Sequence, residues 1–482
     1  MKKYLAVATA VVFLLGFAAA SFAIHAEIPA ETQAVVAKSQ TQITIGGEVR
    51  IRGEFRDNIR DFNKDKVDHD GYWDERFRLS VEAKVTPNTM AKFTLQSGNA
   101  DNADNMTWGE YQPGPGAKGS YNFGNGNKGD VRFLEAWLMH QGSGLFGVPA
   151  LVKVGHMPII VGTGMWLNHT YWGDDALLFG VDPMKELHII LGTVKFTENQ
   201  GGTDLSLNND GDAYVLLMTY DFDKKSSVGF NVTYVNQQNI GHTAVTDIGV
   251  YPDVQLWNFG LNGNTEISGF GLYGEVNFQL GKTAQVVNPF FNSGTEYSSD
   301  FQGYAAKLGT YFKVDPVKVG IEGAWGSGGR ANQDNIKTFQ TTLGNEQHFT
   351  YVYDYRTVNA ANNALGGLQN TWYIKADASM DFTKEFSGYL AGYYLQAVNK
   401  IDSVTIQGPT GPQTRNSYGF ASTNDSKNIG IEIDAKLTYK LDKNLNYWVE
   451  GGYLFAGNFW KAVGTSSVDD AYAIRHGIQL SF

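Results

Sequence analysis

The last eleven residues of the chain constrain the fold more than any other segment of the sequence. Their apolar side chains recur at every second position, and the residues between them are small or polar. A period of two is that of a β-strand with one apolar face and one hydrated face. His476 is the only polar residue on the apolar face, which is otherwise formed by Tyr472, Ile474, Ile478, Leu480 and Phe482.

A longer stretch with the same alternation lies near the start of the chain, between Ile43 and Arg56. Its apolar side chains, such as Val49 and Ile51, alternate with charged ones over fourteen residues. About 9–11 residues are enough for a tilted strand to cross a membrane. A half-buried strand of a soluble protein also alternates, but it rarely carries so many charges over such a length. The stretch therefore predicts a long strand with one charged face.

The connections between the alternating stretches are themselves alternately short and long. Eight short connections, among them Asp182–Lys185 and Asn262–Glu266, contain residue types that favour tight turns. Nine long connections lie between them, so the sequence predicts about eighteen strands, with sixteen as the alternative. The stretches Arg132–His140, Ala176–Phe179 and Val254–Leu261 alternate weakly, but this count requires a strand at each.

The amino-terminus predicts export. A basic start, Met1–Lys3, precedes the apolar run Tyr4–Ala20 and a group of small residues, which is the composition of a secretory signal peptide. We expect residues 1–23 to be that peptide; the alternative, a membrane anchor, needs a longer apolar run. Residues 24–41 then form a periplasmic segment that is helical, extended or plug-like, and residues 42–482 form the main domain.

Composition excludes several classes of site. Charged residues make up only 18% of the chain, below the roughly 25% usual in soluble domains. The formal net charge of -11 argues against nucleic acid as a partner. The chain has no Cys, which excludes disulfides, Cys-ligated metals and covalently attached c-type haem. No motif predicts a metal site, a cofactor or a catalytic triad, so we expect none.

Backbone chemistry decides how such strands assemble when they cross a bilayer. Every N–H and C=O group in the hydrocarbon region needs a partner within the protein, so the strands must close without a free edge. About 16–18 strands enclose a lumen that is too wide for side chains to fill. The sequence therefore predicts an all-β fold, a transmembrane antiparallel up-and-down β-barrel, with its short turns and both termini on the periplasmic side.

Charged residues occupy the face of the early strands that points into the predicted lumen. Fixed charges along a pore bias which ions enter, so one interpretation is a basic ladder that guides anionic solutes. The other interpretation is mutual neutralisation by Arg–Glu pairs across the strands. The candidates for the pore lining are Glu48, Arg50, Arg52, Glu54, Arg56, Arg76, Arg78, Glu82, Lys84, Lys92 and Arg132.

The last strand resembles the terminal strand of bacterial outer-membrane β-barrels, which commonly ends in Phe. The resemblance implies that this strand is the signal read by the barrel-insertion machinery. The stretch Leu151–Gly162 is similar to a strand of large porins of the alginate-export and phosphate-porin type, and the whole chain is similar to OmpJ-type channel porins of metal-reducing bacteria. These resemblances imply an outer-membrane location, contact with lipids and lipopolysaccharide, and a homotrimer or a monomer.

In many porins a connection near the third long one folds inward and narrows the pore. The third long connection here, Val161–Asp174, is rich in aromatic residues and has few charges. By that resemblance it is a candidate constriction loop; the alternative is an external loop whose aromatic rings meet the lipid headgroups. The candidate constriction residues are Trp166, His169, Tyr171, Trp172, Asp174 and Asp175.

Three functions remain open at this point. The first is a passive diffusion channel for small hydrophilic solutes or ions, without enzymatic activity. The second is a barrel that sheathes a cytochrome, periplasmic or extracellular, as in porin–cytochrome conduits. The third is an outer-membrane barrel hydrolase, which requires a cluster of Ser, His or acidic residues that the spacing in the sequence does not reveal.

Overall fold

The fold was obtained as a computed structural model. It describes residues 34–38, 41–66, 68–97, 106–107, 131–143, 147–197, 210–237, 254–283, 299–331, 335–343, 348–357, 366–408, 411–417 and 420–482. The predicted signal peptide, residues 1–23, and most of the second long connection lie outside the described residues.

Eighteen long strands form one sheet in which each strand pairs antiparallel with its neighbours in the chain. The strands are β1 (Thr41–Asp57), β2 (Asp70–Thr86), β3 (Thr89–Ser97), β4 (Val131–Gly142), β5 (Ala150–Met157), β6 (Asp174–Met184), β7 (Leu187–Thr197), β8 (Gly211–Asp223), β9 (Ser226–Gln237), β10 (Val254–Ile267), β11 (Phe270–Thr283), β12 (Tyr304–Val314), β13 (Val317–Gly326), β14 (Thr371–Asp381), β15 (Phe386–Ala397), β16 (Asn428–Asp442), β17 (Leu445–Ala456) and β18 (Ala471–Ser481). The predicted fold class and strand count are confirmed, including the weakly alternating strands β4, β6 and β10.

The barrel closes where β18 pairs with β1, from Glu48–Ser481 to Asp57–Tyr472. The carboxy-terminal Phe482 completes this seam, because its backbone N–H and C=O both bond to Gly47 at 3.0 and 2.7 Å. A Cβ at Gly47 would overlap the ring of Phe482, so glycine allows the ring to lie against β1. Residues 34–38, which precede β1 in the chain, form a short extended strand that pairs with the start of β1.

Strand β11 shows how the two faces of the wall differ. The outward side chains of Phe270, Val276 and Phe278 are between 47% and 49% exposed. Their inward neighbours Asn277 and Gln279 are 3% exposed or less. This reversal of the usual pattern, apolar outside and polar inside, is what a barrel in lipid requires.

Aromatic side chains form a belt on the outward face near the ends of the long connections. Tyr234 stacks between Tyr214 and Trp257, at centroid distances of 6.2 and 4.4 Å. Farther round the barrel, Tyr304 packs on Trp325 at 4.7 Å. Such belts mark the depth of the lipid headgroups, so these positions fix the height of the barrel in the bilayer.

Two predicted turns lie at different positions in the structure. Residues Asn262–Glu266 belong to β10, which continues to Ile267, and the turn is Ser268–Gly269. Both turn residues have positive φ, of 50° and 83°, as tight two-residue hairpins require. The turn predicted at Asp182–Lys185 likewise lies farther along the chain, between Met184 and Leu187, because β6 continues to Met184. In both cases polar strand residues were mistaken for turn residues.

A hydrophobic core lies inside the barrel. It joins buried side chains of the inner wall, such as Val194, Val215 and Leu256, to Trp166 and Leu167 of the third long connection. The core exists because long connections fold into the lumen and bring apolar side chains with them. No helix in the described ranges is both long and apolar enough to cross a membrane.

The two faces can be tested with adjacent residues of β2. We expect Val81→Arg, on the outward face, to lower the free energy of unfolding by about 2–4 kcal/mol near the bilayer midplane. Ser80→Arg, on the inward face, has access to water and is expected to cost less. Chemical unfolding in lipid vesicles measures both values. Equal destabilisation by the two substitutions would contradict the assignment of faces.

Candidate functional site in the barrel interior

The inward charges of β1–β4 are arranged in pairs across neighbouring strands. Arg52 donates from Nε to both carboxylate oxygens of Asp74, at 2.7 and 2.8 Å, and both side chains are buried. Arg76 donates to Glu48 at 2.8 Å. Two more accessible pairs are Arg56–Asp70 at 2.6 Å and Lys92–Glu135 at 3.0 Å. With Glu54, which pairs with Arg356 at 2.8 Å, at least six of the eleven predicted lining residues have a partner of opposite charge.

The remaining predicted lining residues lie on the same inward face. Arg78 donates to the side-chain oxygen of Gln96. Arg50 is buried, Glu82 and Arg132 are half-buried, and Lys84 is exposed at the end of β2 near the short turn. The wall is thus more accessible toward the turns than toward the long connections. The role of these residues in permeation stays a prediction.

The third long connection, residues 158–173, crosses the lumen. Its Thr163 donates from the backbone N–H to Glu275 of β11 at 2.7 Å, and from its hydroxyl to the same carboxylate. Lys307 of β12 donates to the Thr163 hydroxyl at 3.1 Å. Because the connection begins at β5 and ends at β6, these bonds carry it to a part of the wall that lies five to six strands away.

The seventh long connection, residues 327–370, meets the third one inside the barrel. Thr342 pairs with Leu167 in parallel register, and its backbone N–H donates to the carbonyl of Trp166 at 2.9 Å. On the wall, the Gln279 side chain bonds both the N–H and the carbonyl of Gln340, at 2.8 and 2.9 Å. The two connections are therefore joined to each other and to β11.

A buried relay of three polar side chains reinforces this junction. His169 Nδ1 lies 2.8 Å from Asp174 Oδ2, and His169 Nε2 bonds the hydroxyl of Thr342. Because an ionised carboxylate only accepts, Nδ1 carries the donated proton, and in the neutral ring Nε2 accepts from the hydroxyl. All three residues are buried. The relay links the two connections to the first residue of β6.

The predicted constriction residues do not all lie together. Trp166 is completely buried, Tyr171 is also buried, and the ring of Trp172 lies 4.8 Å from that of His169. Asp175 is a correction to the prediction, because strand alternation places it on the outward face beside Leu177. Its side chain is 73% exposed and bonds His156 at 3.0 Å. Asp175 is therefore not part of an inner constriction.

A part of the seventh connection, residues 348–357, docks on the wall formed by β16–β18 and β1; we call it the docked segment. Successive backbone N–H groups of Val352 and Tyr353 donate to the two oxygens of Glu432. The N–H of Tyr351 donates to Asp434 at 3.0 Å. Two carboxylates of β16 thus hold three consecutive amides.

Arg356 ties the other end of the docked segment to β1. Its Nε and Nη2 donate to the two oxygens of Glu54 at 2.8 and 2.9 Å, and its Nη1 donates to the carbonyl of Tyr351 at 2.7 Å. The guanidinium lies 3.8 and 3.9 Å from the ring centroids of Tyr351 and Tyr355. A planar guanidinium satisfies this combination of fork and stack, whereas a lysine ammonium does not.

Sequence reasoning did not identify the docked segment or its anchors Glu432 and Asp434. The segment lies within the longest predicted connection, where three tyrosines and one arginine stand close together as Tyr351–Arg356. That concentration of aromatic residues was an available signal. In the described ranges, no group of three or more His, Asp or Glu side chains could hold a metal ion.

The relay gives a stability prediction. His169→Ala leaves the carboxylate of Asp174 buried without its partner, so we expect the free energy of unfolding to fall by about 1–3 kcal/mol. His188→Ala is the matched control, because the side chains of His188 and its partner Asp182 are 42% and 44% exposed, and such a pair is worth about 0–1 kcal/mol. Chemical unfolding of both variants measures the difference. A His169→Ala variant as stable as the parent would contradict the proposed importance of the relay.

Comparisons with known proteins agree with this architecture. Residues 208–473, more than half of the chain, match the family model described as alginate export. Among solved structures, Pseudomonas aeruginosa OccK8 (OprE) is 11% identical with a TM-score of 0.50, over 91% of this chain and 98% of that chain. Pseudomonas aeruginosa OccK2 (OpdF) is 10% identical with a TM-score of 0.52, over the same shares of the two chains.

At sequence identities of 10–11% the solved structures show the fold alone. Membership in a family is shown by the match to the family model. No curated protein matches the chain. The closed barrel, its outward apolar face and the matched family together place the protein in the bacterial outer membrane. The chain belongs to the alginate export family, and it is a porin-like channel protein of the outer membrane.

Proposed function

We propose that this channel serves the passive diffusion of small hydrophilic solutes or ions. The observation that carries the proposal is the charged and polar inner face of a barrel whose outer face is apolar. The purified protein is expected to form discrete, long-lived conductance steps in a planar lipid bilayer at constant voltage. Absence of such steps from a folded, inserted preparation would contradict the proposal.

The paired charges support weak selectivity between anions and cations. Arg52, Arg76 and Lys92 have acidic partners in the described chain, and paired charges cancel much of each other's field. This pairing favours mutual neutralisation over a basic ladder. A substitution that removes one partner of a pair leaves the charge of the other partner uncompensated. We therefore infer that the lining as built discriminates little by charge.

The pair Lys92–Glu135 tests this inference with two opposite substitutions. Glu135→Gln removes the acidic partner, so the reversal potential in a salt gradient should shift toward anion preference. Lys92→Gln should shift it toward cation preference, because a fixed charge in a pore favours ions of opposite sign. The unsubstituted channel should lie between them. Strong anion preference of the unsubstituted channel would instead support the basic ladder.

The inward-folded connections also favour a constriction. We propose that Trp166, His169, Tyr171, Trp172 and Asp174 narrow the lumen, since the connection that contains them leaves the wall at β5 and reaches Glu275 on β11. The alternative, an external loop with rings at the headgroups, does not account for the complete burial of Trp166. Solute-exclusion measurements with polyethylene glycols of graded size test the width.

A cytochrome sheath is the second candidate, and the same connections argue against it. A sheath needs a wide, continuous lumen. In the described chain, the third and seventh connections meet inside the lumen of this barrel. Conductance of the isolated protein favours a diffusion channel. Co-purification of a haem protein, periplasmic or extracellular, would support the sheath.

A hydrolase is the third candidate, because Asp174, His169 and Thr342 have the connectivity of a catalytic triad. The arrangement does not favour catalysis. Thr342 is 2% exposed, so a substrate carbonyl has no path to its hydroxyl, and a nucleophile must contact its substrate. We infer a structural role for the relay; lipid or peptide hydrolysis abolished by Thr342→Val would contradict it.

The proposed partners follow from the exposed surfaces. The outward apolar band and its aromatic belt suit lipids and lipopolysaccharide. We propose that the barrel-insertion machinery reads the terminal strand, where Ile474 and Leu480 are exposed and Phe482 ends the seam with β1. A homotrimer and a monomer are both compatible with this surface, and the mass of the detergent-solubilised particle distinguishes them.

A further inference from the structure

The docked segment is held on the wall as a bound peptide would be. Its side chains pack in the hydrophobic core, and the Tyr353 hydroxyl bonds that of Thr371 at the start of β14, at 2.6 Å. Its polar contacts with strands that are distant in the chain are the backbone N–H groups accepted by Glu432 and Asp434, together with the fork from Arg356 to Glu54. They are hydrogen bonds and ion pairs rather than continuations of the barrel sheet, so the barrel can stay closed without them.

The wall carries a site shaped for this segment. Gly452 of β17 is an essential part of it, because a Cβ there would overlap Asp434 Oδ1 and would also lie 2.8 Å from Val352 Cγ2 and 3.2 Å from Tyr351 Cβ. The absence of a side chain at Gly452 lets the carboxylate and the segment approach β17 together. Arg475 of β18 donates to Glu450 of β17 at 2.6 Å, and this pair adds to the charged residues of the wall around the docked segment.

The docked segment is also connected to the third connection. Both belong to inward folds that meet at the pairing of Thr342 with Leu167, and the relay through His169 fastens that junction. The two connections form one internal partition, whose wall anchors include Glu275 and Gln279 of β11, Glu432 with Asp434 of β16, and Glu54 of β1.

We propose that residues 348–357 are a removable plug, and that the carboxylates of Glu432, Asp434 and Glu54 are the latch that keeps it docked. Release of the latch widens the passage between the β16–β18 wall and the third connection. The proposal rests on the proposed channel function and goes beyond it, because it assigns the control of conductance to three named carboxylates and a segment that neither crosses the membrane nor belongs to the sheet.

Glu432→Gln tests the latch directly. Glu432 receives two consecutive N–H groups with two oxygens, whereas glutamine offers one oxygen and a second donor, so one amide loses its acceptor. We expect a severalfold higher mean current through the variant in a planar bilayer. Asp377→Asn is the matched control, because it removes one inward carboxylate from β14. Lys375, the partner of Asp377, still has Glu322 as a second acidic partner. The current through this variant should equal that of the parent.

A second readout follows the segment itself. Because the chain has no Cys, Val352→Cys introduces its only thiol, at a position that is completely buried in the docked state. A charged methanethiosulfonate reagent should modify this thiol slowly in the parent background and severalfold faster together with Glu432→Gln. Together with Asp377→Asn, the rate should remain slow.

The outcomes separate the two proposals. Equal current and equal thiol reactivity with and without Glu432→Gln would overturn the plug. Faster modification without increased current would also overturn it, because the segment would then move without controlling conductance. If neither protein conducts, the channel function fails, while the thiol rates still decide whether the latch holds. If Glu432→Gln does not fold, Glu54→Gln replaces it, since it removes the partner of Arg356 and should release the same segment.

Discussion

The hydrogen bonds of the backbone are the constraint on which the rest of this structure depends. In the hydrocarbon of a bilayer no water is present to pair a free N–H or C=O group, so a sheet must have no edge. The chain meets this requirement where β18 pairs with β1, and the backbone of Phe482 ends the seam on Gly47. The apolar alternation of the first and last strands is the side-chain counterpart of that closure.

Closure with eighteen strands creates a second problem, because the inner wall is polar and the lumen is wide. The protein fills part of that space with its own connections and pairs much of the charge on its wall. Arg52 with Asp74 and Arg76 with Glu48 are buried pairs, and removal of one partner from such a pair costs more than the intact pair contributes. The charges therefore stabilise the wall as well as shape the field in the lumen.

The same wall supplies the anchors of the inward connections. Glu275 holds Thr163 of the third connection, and Glu432 holds the amides of the seventh. Residues of the inner wall are in this way also the residues that position the inward-folded connections. A substitution in the wall consequently removes an anchor of a connection, in addition to its direct effect on the charge of the lumen.

The sequence alone determined the class of the fold, the strand count and the alternation of the two faces along most strands, because a period of two is local and the bilayer makes it strict. It assigned Asp175 to the constriction, although that side chain lies on the outward face of β6. It misplaced the turn at Asn262–Glu266, where inward polar strand residues have the composition of a turn. Only the tertiary structure placed Arg356 on Glu54, 302 residues away, and His169 on Thr342, 173 residues away. Such contacts depend on where loops meet inside a closed barrel, and no local periodicity records that meeting.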